Sequence, residues 1–431
     1  MTVESVVPAP HIAKPSPGRP KKSLLRTLGP GIVTGAADDD PSGIATYSQA
    51  GAQFGFAMSW VMLFSWPLMA VTQVISARIG AVSGRGIAQN LRRHYSPWLL
   101  RFAVLLLLVA NIANLGADLG AMASALDLLI GGPHALYTVL FATGCVAAEI
   151  WIGYARYASI LKWLTFSLFA YVGVVFAVHV SWVQALRSFV IPNMTFDSEH
   201  AQMLVAILGT TISPYLFFWQ ASQEVEEQRS RRIPPLIHNP DAAAELRSID
   251  VDTWVGMGYS NLIALFIIVA CAATLNANGV LDIKTADQAA EALRPIAGRA
   301  TFWLFASGII GTGLLAVPVL AGSLGYAVSE TFRWREGLDL KLARARGFYG
   351  TIAAATLAGL ALNFAGIDPI KALYWSAVLN GVLAAPLMAL MLLIANNRKV
   401  MGSLTLPAWL TWTGWLATAV MVVATLGFFV L

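Results

Sequence analysis

Long apolar runs, separated by short polar stretches, fill most of this chain. A helix needs about 20 mostly apolar residues to cross a bilayer. Windows of that kind recur at residues 29–53, 57–81, 99–127, 134–154, 158–181, 201–226, 252–276, 300–330, 347–366, 370–396 and 406–430. The pattern predicts an all-α polytopic membrane protein with eleven transmembrane helices. Composition agrees, because 57% of the 431 residues are hydrophobic and only 12% are charged, against about 25% in a soluble domain. Residues 1–27 break the pattern. They are Pro-rich and basic, so a disordered cytoplasmic segment is expected there, and they lack the apolar core and cleavage site of a signal peptide.

Charge sets the expected orientation. With the N-terminus in the cytoplasm, alternate loops collect the Lys and Arg residues. Only Arg187, Lys284, Arg294, Arg299 and Lys371 of the 28 then fall outside. This bias fits the positive-inside rule and places the C-terminus outside, in a multi-pass plasma or inner membrane protein. The net charge of +5 is spread among short loops, which argues against nucleic acid. Cys145 and Cys271 both lie in apolar runs and read as core residues, not as a disulfide or metal pair. No obligatory protein partner and no resident cofactor are expected. No Ser-His-Asp set, His/Cys cluster or Gly-rich phosphate loop on a soluble face points to an enzyme.

Two spans carry signals that do not belong in a simple membrane helix. The first contains "GAADDDPSG", residues 35–43. Proline removes a backbone donor and glycine loosens the turn, so the helix should break there. An Asp at the bilayer centre costs about 2.5–3.5 kcal/mol even on the lenient insertion scale, so three in a row call for a function. Successive helix positions are about 100° apart, and Asp40, beside the Pro, is best placed to face an opened backbone. The sixth span contains "GTTISPYLFFWQAS", with Pro214 after Ser213. The two breaks are five helices apart and run in opposite directions. That predicts an inverted repeat of five plus five helices over about 28–185 and 200–400, the LeuT-like architecture, with an eleventh helix in 401–431. In such transporters broken helices meet at the midplane and their freed carbonyls coordinate ions. Pro67 and Pro386 read as kinks or packing features.

At these residues the chain resembles the NRAMP family of divalent metal transporters. "GPGIVTGAADDDPSGIATYSQAGAQFG" resembles their first helix, whose signature is Asp-Pro-Gly-Asn. "LMAVTQVISARIGAVSGRGIAQ" resembles the second and "GADLGAMASALDLL" the third, with Asp118 at a recurrent acid. The sixth-helix stretch resembles one whose signature is Met-Pro-His. The resemblance covers about residues 28–400 and implies a metal site built from Asp40, backbone carbonyls near Ala37 and Thr210, and the residues at positions 43 and 213. Here those are Gly43, where the family has a ligand Asn, and Ser213, where it has a ligand Met. Tyr215 and Gln220 stand at two family histidines. Asn111 and Ala121 stand at two third-helix glutamates linked to proton movement.

These departures alter the expected chemistry. A thioether favours softer metals, whereas oxygen ligands suit Mg2+, Ca2+ and Mn2+. Mg2+ dehydrates reluctantly and needs only one or two carboxylates. Replacing Met by Ser213 hardens the site, and losing the Asn side chain at Gly43 is expected to leave room for retained water. Asp38 or Asp39 adds long-range attraction, Gln220 is placed to reach the ion through water, and Asp118 is a candidate proton carrier or supporting acid. The pattern resembles the NRAMP-related magnesium transporters. The expected function is transport of Mg2+ and/or Mn2+ by alternating access, uncoupled or weakly coupled to protons. The alternatives are a proton-coupled Mn2+/Fe2+ importer and a sodium-coupled amino-acid symporter of the same fold. Three acids beside a substrate carboxylate argue against the symporter. Weaker expectations concern Asn380 as helix–helix glue, Glu149 pairing with Arg156, and "QEVEEQRSRR", 223–232, as a solvated helix end.

Overall fold

The computed structural model describes residues 29–152, 168–193, 195 and 197–431, and among them every regular element is helical. The first span is two half-helices, α1 (Pro30–Asp38) and α2 (Pro41–Phe54), which are followed by α3 (Trp60–Ser83), the amphipathic α4 (Ile87–His94), α5 (Pro97–Ile130) and α6 (His134–Trp151). Then come α7 (Phe169–Ala177) and α8 (Trp182–Val190). The second half starts with another broken pair, α9 (Ser198–Thr211) and α10 (Pro214–Ser230), and continues with α11 (Ala242–Thr274), α12 (Thr301–Phe332), α13 (Arg346–Leu362), α14 (Pro369–Ala395) and α15 (Ala408–Val430). Nine helical stretches among the described residues are long and apolar enough to span a bilayer. Residues 158–167 of the expected fifth span, 158–181, lie outside the described residues, and its later part contains α7.

Helix starts follow local chemistry. Asp40, Asp197 and Asp368 each cap a helix by accepting from the N–H three residues on, Gly43, His200 and Lys371, and each such cap contributes about 1 kcal/mol. Boundaries shift where polar residues extend an apolar run. α11 begins about ten residues before the expected start at 252, because its first turns are an amphipathic extension anchored by Leu246, which is buried, and by the ion pair of Asp250 with Arg78 on α3. A hydropathy window detects only the apolar part. α5, at 34 residues, is about 51 Å long and runs past the bilayer core.

The packing shows the inverted repeat. The α1/α2 pair packs along α11, while the α9/α10 pair packs along α3. Small residues make both contacts close, as in membrane helix pairs generally. A Cβ on Gly35 would sit 2.2 Å from the carbonyl of Gly256 on α11, and one on Gly80 of α3 would sit 2.1 Å from the carbonyl of Ala221 on α10. α5 and α12 form the matching long pair of the other helix set, joined by Asn111, whose Nδ2 donates to Leu320 O and Ser323 Oγ.

The stretch 223–232 is not a solvated end. Glu224 is buried, Glu226 accepts from Tyr326 Oη at 2.6 Å and Leu338 N at 2.9 Å, and Gln228 donates to Ala81 O. Only its last turn faces solvent, because α10 runs between α3 and α12 for most of its length. The partner expected for Glu149, Arg156, lies outside the described residues.

Candidate functional site

Proline explains which carbonyls the two breaks free. A helical carbonyl bonds the N–H four residues on, and proline has none. Four residues before Pro41 is Ala37, and four before Pro214 is Thr210. The carbonyl of Ala37 accepts instead from Tyr215 Oη at 3.2 Å, and that of Thr210 accepts from Ser213 Oγ at 2.9 Å. The two backbone oxygens expected at the site are therefore held by mobile hydroxyls, not by fixed amides. Both prolines occupy the first position of a half-helix, where a missing N–H costs nothing.

Asp40 divides its two oxygens. Oδ1 accepts from Ser42 Oγ at 2.6 Å and Gly43 N at 2.8 Å and so caps α2. Oδ2 meets only Tyr215 Oη, at 3.2 Å, and is the oxygen left for a ligand. Ser213 turns its hydroxyl back to Gly209 O and Thr210 O, both at 2.9 Å, which leaves its lone pairs unspent. Asp118 on α5 is buried within the electrostatic reach of Asp40, with the backbone N–H of Ser42 facing its carboxylate. Both polar atoms of the buried Asn380 on α14 lack a hydrogen-bond partner, so it does not join two helices by a hydrogen bond.

Other expected members stand apart. Asp38 and Asp39 turn to Ser260 on α11, not to Asp40. Gln220 lies along α10, two turns beyond Ser213, where it accepts from Thr34 on α1 and donates to Glu224 at 3.1 Å. The room expected beside Gly43 is taken up, since a Cβ there would meet Thr210 Oγ1 at 3.0 Å and the Tyr47 ring at 3.3 Å. Ser260 and Tyr47 were missed by sequence reasoning. Tyr47 lies seven residues after Asp40, two turns along one helix face, and that periodicity points to it. Ser260 has no local signal at all.

The site is closed on both sides, with Asp38, Asp39, Asp40, Thr210 and Ser213 each 1% exposed. On the α2 side the seal is apolar. Ile283 from the segment between α11 and α12 meets Ile44, Ala121, Phe305 and Ile309 around a residual cavity of about 20 Å³. On the α1 side it is polar, made by Thr34, Gln220 and Glu224, with Asp252 accepting from Gly31 N at 2.7 Å. Among the described residues no three His, Cys, Asp or Glu side chains converge on one point. A cation held here takes the rest of its ligands from hydroxyls, carbonyls and water.

Comparisons with known proteins agree with this geometry. The chain is 26% identical over 409 residues to the divalent metal cation transporter MntH of Klebsiella pneumoniae (strain 342), covering 93% of each chain. Its fold matches the crystal structure of the Eremococcus coleocola manganese transporter with a TM-score of 0.76, at 19% identity, over 95% of this chain and 88% of that one. It also matches MhsT, solved in complex with L-phenylalanine, with a TM-score of 0.58 at 14% identity, over 93% and 98% of the two chains. The fold is therefore the LeuT-like inverted repeat. Residues 31–431 match the model of the natural resistance-associated macrophage protein-like family, and the chain belongs to that family of divalent metal cation transporters.

Proposed function

We propose that the protein carries Mg2+ and/or Mn2+ across the plasma membrane by alternating access, with little or no proton coupling, its N-terminus in the cytoplasm and its C-terminus outside. The observation that carries the reading is the donor set around Asp40 Oδ2. Tyr215 Oη joins that carboxylate oxygen to the carbonyl of Ala37, and the facing break adds the carbonyl of Thr210 and the hydroxyl of Ser213. Neither break offers a thioether or an imidazole. All-oxygen sets suit hard cations, and Tyr215 Oη satisfies Ala37 O and Asp40 Oδ2 until an ion takes its place between them. Asp39 and Gln220 act around this centre, not in contact with the same ion, and Gly43 contributes its backbone N–H to Asp40. The polar seal on the α1 side gives a released ion a route toward the cytoplasm, and the apolar seal on the α2 side keeps water out during release.

The coupling part of the proposal follows from what titrates. Histidine changes charge most readily near neutral pH. Every histidine among the described residues lies at a helix end or in a loop, namely His94, His134, His179, His200 and His238. The test is metal uptake into proteoliposomes under a negative-inside potential, with a pH-sensitive dye inside. Mg2+ or Mn2+ is expected to enter without acidification. Metal-dependent acidification that disappears in Asp118→Asn would overturn the uncoupled mechanism, and absence of uptake of either ion would overturn the cargo.

A further inference from the structure

Four carboxylates, Asp38, Asp39, Asp40 and Asp118, are 0–1% exposed, and none of the ion pairs among the described residues involves them. Buried charge of this density demands compensation. One divalent ion at Asp40 supplies half of it.

The other half has a place to sit. Ser260 Oγ lies 2.6 Å from Asp38 Oδ2 and 3.0 Å from Asp39 Oδ1. A serine hydroxyl has one proton and two lone pairs, so it donates to only one of these oxygens. The second contact needs a shared proton, as at Ser213, a proton on one carboxyl group, or a cation between the oxygens. The remaining oxygens, Asp38 Oδ1 and Asp39 Oδ2, have no hydrogen-bond partner, and the buried hydroxyls of Tyr47 and Thr210 face each other beside them. These groups converge. Tyr47 lies in the field of both Asp38 and Asp39, and the empty Cβ position of Gly43 is 3.0 Å from Thr210 Oγ1, 3.3 Å from the Tyr47 ring and 3.6 Å from Asp38 O. α1 also ends at Asp38, so the negative end of its dipole points here.

We propose a second cation site formed by Asp38, Asp39 and Ser260, with Thr210 and Tyr47 beside it, which takes a hard divalent cation of the same class as the cargo. The donors are oxygen only, as such ions require. A second divalent charge brings the formal sum over the four carboxylates to zero, so a loaded carrier crosses between its two access states without a net buried charge. The inference rests on the transport reading of Asp40, because it assigns the charge that this reading leaves over.

Calorimetry on the full-length protein in a sodium-free choline buffer, with MgCl2 or MnCl2 as the sole ligand, tests it. Wild type is expected to bind two equivalents. Asp39→Asn, which keeps the side-chain shape, should bind one, and Ser260→Ala should weaken the second equivalent about tenfold. Asp40→Asn should retain the equivalent that Asp39→Asn loses. Gel filtration and thermal melting confirm that each variant is folded. A single Asp40-dependent equivalent in wild type, or one that releases protons on binding and loses that release in Asp39→Asn, overturns the second site and leaves the transport reading intact. A second equivalent that appears only with NaCl overturns the divalent assignment. No binding by wild type at all removes the transport reading instead.

Discussion

The two broken helices share a plan and differ in charge. Each places a polar residue ahead of a proline, Asp40-Pro41 and Ser213-Pro214, and each proline frees the carbonyl four residues earlier. In the first break the polar residue caps its half-helix with one oxygen and keeps the other for a ligand. In the second the serine does not cap, and its hydroxyl folds back on Gly209 and Thr210. One break supplies charge and the other supplies neutral oxygens. On the proposed reading, this division would let a hard ion be held by a single strong attraction and then released, the remaining ligands being carbonyls and hydroxyls that exchange readily with water.

The largest expected effect follows from removing the charge. Asp40→Ala and Asp40→Asn should each weaken Mg2+ or Mn2+ binding at that site at least about 100-fold. Only the alanine should also lower stability, by about 1 kcal/mol, because asparagine still caps α2. Calorimetry and thermal melting separate the two. Equal melting temperatures for the two variants would mean that the cap contributes nothing and the division of oxygens is wrong.

A smaller effect should come from softening the neutral break. Ser213→Met is expected to raise the preference for Cd2+ over Mg2+ about tenfold in competition binding, and unchanged curves would remove Ser213 from the ion's surroundings. Smaller again, Pro41→Ala or Pro214→Ala restores a backbone N–H that competes for Ala37 O or Thr210 O. Each should reduce affinity about threefold, read by the same titration. A silent Pro214→Ala would limit the carbonyl contribution to the first break.

The smallest effect concerns the far end of the second break, where α10 is held against α12 and the segment after it. Glu336, in that segment, is pushed up to about 7, chiefly by burial, with Arg229 and Arg92 opposing the rise and Glu226 adding to it. The folded state therefore keeps a proton that the unfolded chain gives up at the ordinary value of 4.5. The stability gained is full below that value and is lost as pH rises through about 7. Melting temperature should fall by about 1–2 °C between pH 5 and pH 8, and Glu336→Gln should flatten that slope. A slope that persists in the variant would assign the pH response to another group.

Much of this protein was legible along the chain. The apolar runs marked the spanning helices, since a bilayer leaves the backbone few alternatives to helix. Pro41 and Pro214 marked both breaks, and through the missing N–H they marked Ala37 and Thr210 as the freed carbonyls. Asp40 was singled out by its place beside the break. These are local consequences of hydropathy and backbone chemistry, so sequence suffices.

What the sequence left open depended on contacts between distant segments. Ser260 lies 222 residues from Asp38, and only the packing of α1 on α11 brings it between two carboxylates. The same packing turned Asp38 and Asp39 away from Asp40, although three adjacent acids look alike in sequence. Gln220 was expected to reach the ion through water and Glu224 to sit on a solvated helix end, until Thr34 of α1 engaged Gln220 and Gln220 engaged Glu224, and the space at Gly43 was filled by Thr210 from the other broken pair and by Tyr47 one turn along α2. Hydropathy and proline chemistry act over one or two turns, whereas the facing of a side chain is set by whichever helix packs against it.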